Sequence, residues 1–371
     1  MNVLLLGGGL QGLSFGESLY KSCRISVVSN EFAIRKSRFF DRVYPISEAS
    51  EDASFIRKLL SEQKYDVIVP MSDKFASLLS RNKVSLENEF QVKCAVPDVD
   101  ALSIVENKSV FMEFCQRENI PHPKTVRLKR EEIQKAIAQV GFPALIKPDF
   151  SVGGRGIVRV NNEEELVSHL AVVEREYGPC SLQEFIDNPD YYYNVMLFRD
   201  SKGNCINHTV IKILRMYPVR GGSSSFCISE ENPSLVSVCE DVLHRLGWVG
   251  MADFDVLQKR DSGEFRIIEI NPRVPASLRS AYVSGVNFPE LIVKDTCGIS
   301  VLPFDYQPGK ALRYLGLDIM WFLHSNRRWK QLASWLCFWK KSMYYQDVIK
   351  SDYSTWYSWL VTGVQKVFAH R

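Results

Sequence analysis

The residues best suited to chemistry lie in one stretch, Met251 to Arg273, which reads MADFDVLQKRDSGEFRIIEINPR. Asp253 and Asp255 alternate with Phe254 and Val256, while Glu269 and Asn271 alternate with Ile268 and Ile270. A strand puts residues i and i+2 on one face, so each polar pair shares a face. Between them Asp261-Ser262-Gly263 suits a three-residue hairpin loop with Gly in its left-handed position. That loop pairs Arg260 with Glu264 and, counting outward, sets Asp255 opposite Glu269 and Asp253 opposite Asn271. Opposed β-carbons lie about 5 Å apart, and like charges there repel. Two facing carboxylates and an amide oxygen are costly alone but suit a hard divalent cation. Mg²⁺ takes one or two carboxylates and completes its shell with phosphate and water. A solvated polar hairpin face is the plain alternative. The opposed register and the Asn271-Pro272-Arg273 that follows favour a metal held by Asp255, Glu269 and Asn271.

A second cluster stands upstream. Lys147 ends the apolar run Ala144-Leu145-Ile146, and Gly153-Gly154-Arg155-Gly156 follows shortly after. Glycines let backbone amides approach anionic oxygens, and a lysine adds a point charge. The spacing is not that of a P-loop. By itself such a loop is structural more often than not; beside a metal site it reads as a phosphate cover.

Several elements must position these groups. Asn2 to Leu6, Ile25 to Val28 and Tyr65 to Pro70 are apolar runs separated by helical stretches, which predicts βαβ units and a parallel sheet over about the first hundred residues. Asn107 to Arg117 has a helical pattern, Phe142 to Val160 reads as two strands around the glycine loop, and further strands, a helix near Val236 to Leu246 and the hairpin run from Ser181 to Asn271. Past Pro308 the composition shifts, and the tail carries six of the seven tryptophans.

With 371 residues the chain is long enough for two or three domains. Its net charge of +3 is too small to imply nucleic acid. Nine cysteines without CxxC or zinc spacing fit reduced thiols in a cytoplasmic protein. Neither a basic leader nor an apolar run approaching a membrane span is legible.

Four motifs in this order resemble the ATP-grasp superfamily, which includes carboxylate–amine ligases and the large subunit of carbamoyl-phosphate synthase. They are NKSVFMEFCQRENIPHPKT around Lys108, IKPDFSVGGRGI, LQEFI, and Asp255 with EINPR. The resemblance covers about residues 1 to 300 and implies an α/β fold: a Rossmann-like pre-ATP-grasp domain at 1–100, a small lobe at 101–180 and a large lobe with the metal site at 181–305. A helical, aromatic-rich extension is expected at 306–371. It further implies ATP and Mg²⁺ as cofactors, two ions being expected and Mn²⁺ able to substitute. Lys108 and Lys147 would contact the nucleotide, and Gly153, Gly154, Arg155 and Gly156 would close over its phosphates. Gln183, Glu184, Phe185 and Ile186 would form the hinge that meets adenine, through the Glu184 carbonyl and the Ile186 amide. Asp190 is a candidate for ribose, and Arg273 would balance phosphoryl or acyl-phosphate charge.

The resemblance implies a ligase that converts ATP, a carboxylate and an amine into an amide, ADP and phosphate. Rival readings are an ATP-grasp enzyme acting on bicarbonate, a nucleotide-binding module without activity, and an oxidoreductase. The last rests on Gly7-Gly8-Gly9-Leu10-Gln11-Gly12, a dinucleotide fingerprint. However, Ser29 and Asn30 follow the second strand where the ribose-binding acid belongs. Gly9 and Gln11 in that turn, with Ser72 and Asp73 after a strand end, are instead candidates for substrate. In KILRMYPVRGGSSSF, Arg215 and Arg220 are read as lid arginines facing substrate or phosphate. The tail segments MWFL and WLCFWKK admit a membrane-surface helix, a partner patch, or helices packed on the body. The expected partners are therefore small molecules, a second copy as a homodimer, and a membrane surface or protein through the tail. The expected location is cytoplasmic, with membrane-peripheral as the alternative.

Overall fold

The computed structural model describes residues 1–47, 52–151, 153–188, 190–219 and 221–358. Five parallel strands open the chain: β1 (Asn2–Leu6), β2 (Arg24–Val28), β3 (Arg42–Tyr44), β4 (Val67–Pro70) and β5 (Lys93–Cys94), in the spatial order β3-β2-β1-β4-β5. β1 is an unbroken apolar run because both its faces are covered. Val3 and Leu5 join one core and Leu4 and Leu6 another. Gly9, at φ +89°, turns the chain out of β1 into helix Leu10–Leu19. Ser72 caps helix Asp73–Phe90 by accepting from the amide of Phe75.

A four-stranded antiparallel sheet follows: β6 (Thr125–Arg127), β7 (Ala144–Pro148), β8 (Val158–Val160) and β9 (Cys180–Glu184), in the order β6-β9-β7-β8. Helix Glu163–Tyr177, capped by Asn162, packs Leu166, Leu170 and Val173 against Ile146 and Leu182 of this sheet.

The third sheet has seven strands. They are β10 (Tyr192–Arg199), β11 (Cys205–Tyr217), β12 (Ser223–Glu230), β13 (Gly250–Gln258), β14 (Phe265–Asn271), β15 (Ala311–Arg313) and β16 (Met343–Tyr345), ordered β14-β13-β10-β11-β12-β15-β16. Two expectations change here. The segment with the two lid arginines is not all loop, because Ser223 to Ser225 lie in β12, whose ladder to β11 overrides their weak strand propensity. The tail is not simply helical, since β15 and β16 extend the sheet. Helix Leu315–His324 between them packs on β11 and β12. Later tail residues return to the first domain: Asp352 accepts from Ser37 Oγ and from the Arg38 amide. Among the described residues no helix is long and apolar enough to cross a membrane.

Candidate nucleotide and metal site

The hairpin places its polar residues as their spacing predicts, by a route the sequence did not reveal. Asp255 pairs with Glu269 and Asp253 with Asn271. Nearer the turn, however, Val256 pairs with Ile267 and Gln258 with Phe265. The loop is not three residues but four, Arg260 to Gly263, closed by bonds between Lys259 and Glu264 and from the Gly263 amide to the Lys259 carbonyl. A bulge at Ile268 absorbs the extra residue and restores the register at the acids.

β10 adds a residue that no motif marks. Asn194 lies beside Asp255 and donates from Nδ2 to Asp253 Oδ1 at 2.6 Å and Asp255 Oδ1 at 3.1 Å. Its Oδ1 accepts from Ser277 Oγ at 3.2 Å. The amide thus keeps two crowded carboxyls satisfied. Burial, then the charges of Glu269 and Asp253, pushes the Asp255 carboxyl well above the usual range. Glu269 goes the other way. Burial raises it, but Lys108 and Lys147 outweigh that and hold it below its ordinary value.

Two lysines reach this pair, one from the start of helix Lys108–Arg117 and one from β7 of the four-stranded sheet. Lys108 Nζ lies 3.7 Å from Glu269 Oε2 and donates to the Ser151 carbonyl at 2.7 Å. Lys147, on β7, is 5% exposed and donates to Gln183 Oε1 at 3.2 Å. Burial lowers its pKa, with Glu269 opposing. Asp149 is a second residue the sequence reading missed. It is buried, takes the Ser109 hydroxyl, and its backbone carbonyl accepts from the Lys108 amide at 3.0 Å. It therefore ties the start of helix Lys108–Arg117 to the end of β7. A carboxylate directly after Lys147-Pro148 was the available signal.

In the hinge segment, Glu184 pairs with Lys259 at 2.6 Å and accepts from the Lys124 amide, while Gln183 donates to Thr125 Oγ1. The Arg159 guanidinium lies over the Phe185 ring at 4.2 Å, and Ile186 is buried. In the glycine turn, a side chain at Gly156 would lie 2.8 Å from the Tyr177 ring and 2.9 Å from Pro148. One at Gly154 would come 3.3 Å from the Gly221 carbonyl, so this turn sits against the β11–β12 turn. Gly153 and the exposed Arg155 complete it.

Arg273 joins the metal hairpin to the first domain. Its Nε lies 3.3 Å from Asp73 Oδ1, and its Nη2 donates to Asn271 Oδ1 at 3.1 Å. Gln11 donates to the Met71 carbonyl at 2.8 Å, beside Gly9 and the strand end carrying Ser72. Ser72 itself serves as a helix cap.

Two residues stand elsewhere than expected. Arg215 does not face substrate. Its side chain is fully buried, forked onto Asp318 of the tail at 2.7 and 3.1 Å, and stacked on Phe226. Asp190 is not presented to a ribose, because its carboxylate pairs with Arg260 and with Arg327 of the tail. Arg220 lies outside the described residues.

The donor set fits Mg²⁺. Among the described residues no group of three or more His, Cys, Asp or Glu side chains forms a metal cage. Asp255, Glu269 and Asn271 instead offer two carboxylates and an amide oxygen, the partial, oxygen-only set of a Mg²⁺ that shares its shell with phosphate. The buried repulsion between the acids is what a cation would relieve.

The comparisons agree with this geometry. The family model described as carbamoyl-phosphate synthase L chain, ATP binding domain, matches residues 107–294. The carbamoyl phosphate synthase large chain, N-terminal section, of Methanopyrus kandleri is 27% identical over 74% of this chain, which spans 53% of that protein's length. The D-aspartate ligase of Enterococcus faecium is 23% identical over 76% of this chain and 72% of its own. Among solved structures, biotin carboxylase of Campylobacter jejuni superposes with a TM-score of 0.70 at 21% identity, covering 82% of this chain and 73% of that one. The Staphylococcus aureus N5-carboxyaminoimidazole synthetase with ADP gives 0.70 at 15% identity, covering 89% and 86%. The family model covers half of the chain, and the chain belongs to the carbamoyl-phosphate synthase L chain ATP-binding family of the ATP-grasp superfamily.

Proposed function

We propose that the chain is an ADP-forming ligase that phosphorylates a carboxylate to an acyl phosphate and joins it to an amine. One observation carries the reading: Glu269 stands opposite Asp255 across the hairpin and 3.7 Å from Lys108, which begins helix Lys108–Arg117. Phosphoryl transfer needs positioning and charge neutralisation more than a dedicated base. Lys108 and Lys147 supply cationic groups in a buried site, and the glycine turn Gly153–Gly156 offers backbone amides. Asp255, Glu269 and Asn271 would hold Mg²⁺, which when bound neutralises phosphate charge. The substrate carboxylate oxygen attacks the γ-phosphoryl and ADP leaves. The amine then attacks the acyl carbon, phosphate departs, and the amine loses its proton. Arg273 faces the acyl phosphate in this scheme, and the domain at 1–100 holds substrate through Gly9, Gln11 and Asp73. The D-aspartate ligase relative, matched over most of its length, supports amide-bond formation.

The test is release of ADP and phosphate from Mg-ATP against pools of amino acids, uronates and small peptides, with and without bicarbonate, beside Glu269→Ala. Pool-dependent ADP and phosphate, absent in the variant, is the expected result. Turnover on bicarbonate alone would move the chemistry to carboxyphosphate. AMP with pyrophosphate, or no ATP binding by calorimetry, would overturn the reading.

A further inference from the structure

The tail holds a surface that the ligase reading does not use. From residue 319 to residue 346 the chain has five cations, Arg327, Arg328, Lys330, Lys340 and Lys341, and not one Asp or Glu. The whole chain carries only +3, so the remainder is net negative. Arg327 turns inward onto Asp190. The same segment exposes large apolar side chains. Trp339 is 80% exposed, Trp329 68% and Leu323 58%, with Leu336 also open. One of them, Trp329, belongs to a cluster of rings. The Phe322 ring contacts those of Trp329 and Trp335, and Trp335 contacts Phe338. The Arg328 guanidinium lies 5.7 Å from the Trp329 ring centroid. Beneath, the cluster is anchored rigidly, because Trp335 Nε1 donates to the Asp318 carbonyl and Asp318 is locked between Arg215 and Arg313.

We propose that this tail surface docks on an anionic lipid bilayer. Tryptophan rings sit at the headgroup level, where one edge is wet and the face apolar, and lysines and arginines beside them meet lipid phosphates. Lysine is depleted at protein–protein interfaces, whereas here Lys330 and Lys340 directly follow Trp329 and Trp339. The complete lack of acids over 28 residues instead matches a surface of one sign. With no membrane-spanning helix among the described residues, attachment is interfacial and reversible.

The test is co-sedimentation of the full chain with phosphatidylcholine vesicles, with and without phosphatidylglycerol, at low and high salt. Binding is expected only with the anionic lipid, and raising the salt from about 0.1 M to about 1 M should release it. Lys340→Gln with Lys341→Gln should weaken partitioning about twenty-five-fold, at roughly fivefold per cation. Trp339→Ala should also weaken it, and ATP binding by calorimetry should stay intact in each variant. No association of ATP-binding protein with anionic vesicles would overturn the proposal. So would association that these variants leave unchanged, or light scattering showing that the surface joins two copies in the absence of lipid. None of these outcomes depends on turnover, so the ligase reading stands or falls separately.

Discussion

Arg273 Nε lies 3.3 Å from Asp73 Oδ1, so the last residue of the metal-hairpin motif is tied to the first turn of helix Asp73–Phe90 in the parallel-sheet domain. The same guanidinium reaches Asn271. One side chain thus connects the candidate metal-holding residues to the domain proposed to hold substrate. Arg273→Ala should lower turnover by a factor on the order of 10² to 10³, the usual loss for a group that meets transition-state charge. ATP affinity by calorimetry should change little. Asp73→Asn leaves the guanidinium without its carboxylate and should alter KM for the acid substrate more than kcat. Steady-state phosphate release with each variant checks both.

Asp255 is buried beside Glu269 and Asp253, and its carboxyl is pushed far up by burial and by those two neighbours. Its presence is a cost to the metal-free fold. Asp255→Asn should therefore raise the melting temperature in chelator. It should also abolish the further rise that Mg-ATP gives the wild type, since bound ligand stabilises only a competent site. Thermal melts with and without Mg-ATP measure both effects.

The site was legible where local pattern decides and illegible where distant chain does. Alternation fixed which hairpin residues share a face, and the pairing of Asp255 with Glu269 follows. The turn holds one residue more than its composition suggests, and the bulge at Ile268, which leaves no compositional trace, restores the register where the acids meet. Arg215 was misplaced because its partner, Asp318, lies 103 residues away and the intervening glycines and serines read as loop. Asn194 was missed for a similar reason. Its function comes from being the neighbour of Asp255 across a ladder, and nothing in YYYNVM signals that. The parallel sheet was readable because strands covered on both faces are continuous apolar runs.

Asp318 anchors the tail by holding two buried arginines, with Arg215 at 2.7 Å and Arg313 at 3.2 Å. Removing a shared partner strands buried charge, which costs about 3–5 kcal/mol. Asp318→Ala should destabilise the chain by that amount in denaturant titration. Replacing all three together, Arg215→Met, Arg313→Met and Asp318→Leu, should recover most of it, because the pocket is already lined by Phe226 and Trp321.

Asp347 accepts from the amides of Leu315 and Gly316, yet burial still lifts its carboxyl above the usual range. A carboxyl whose folded pKa exceeds its unfolded value adds stability below the unfolded pKa, and that stability is lost as pH rises through the folded value. Relative to Asp347→Asn, the wild type should gain melting temperature between about pH 8 and about pH 4. A difference that shrinks over this range would mean that the amide bonds outweigh burial.

The cysteines supply a probe of the same packing. All nine are free, and Cys94, Cys115, Cys180, Cys227 and Cys239 are buried. Burial pushes the thiols of Cys94, Cys115, Cys180 and Cys227 up to about 12, and lifts that of Cys239 well above the usual thiol range. The thiolate is the reactive form, and at pH 8 such a group is ionised only to a fraction on the order of 10⁻⁴. Ellman's reagent should therefore leave these five untouched in the native chain and count all nine in guanidinium. Three of them sample the three sheets, Cys94 the first, Cys180 the second and Cys227 the third, while Cys115 and Cys239 lie on helices. Early reaction at one of them under mild denaturant would identify which sheet opens first. Simultaneous reaction of all five would show that the three unfold as one cooperative unit.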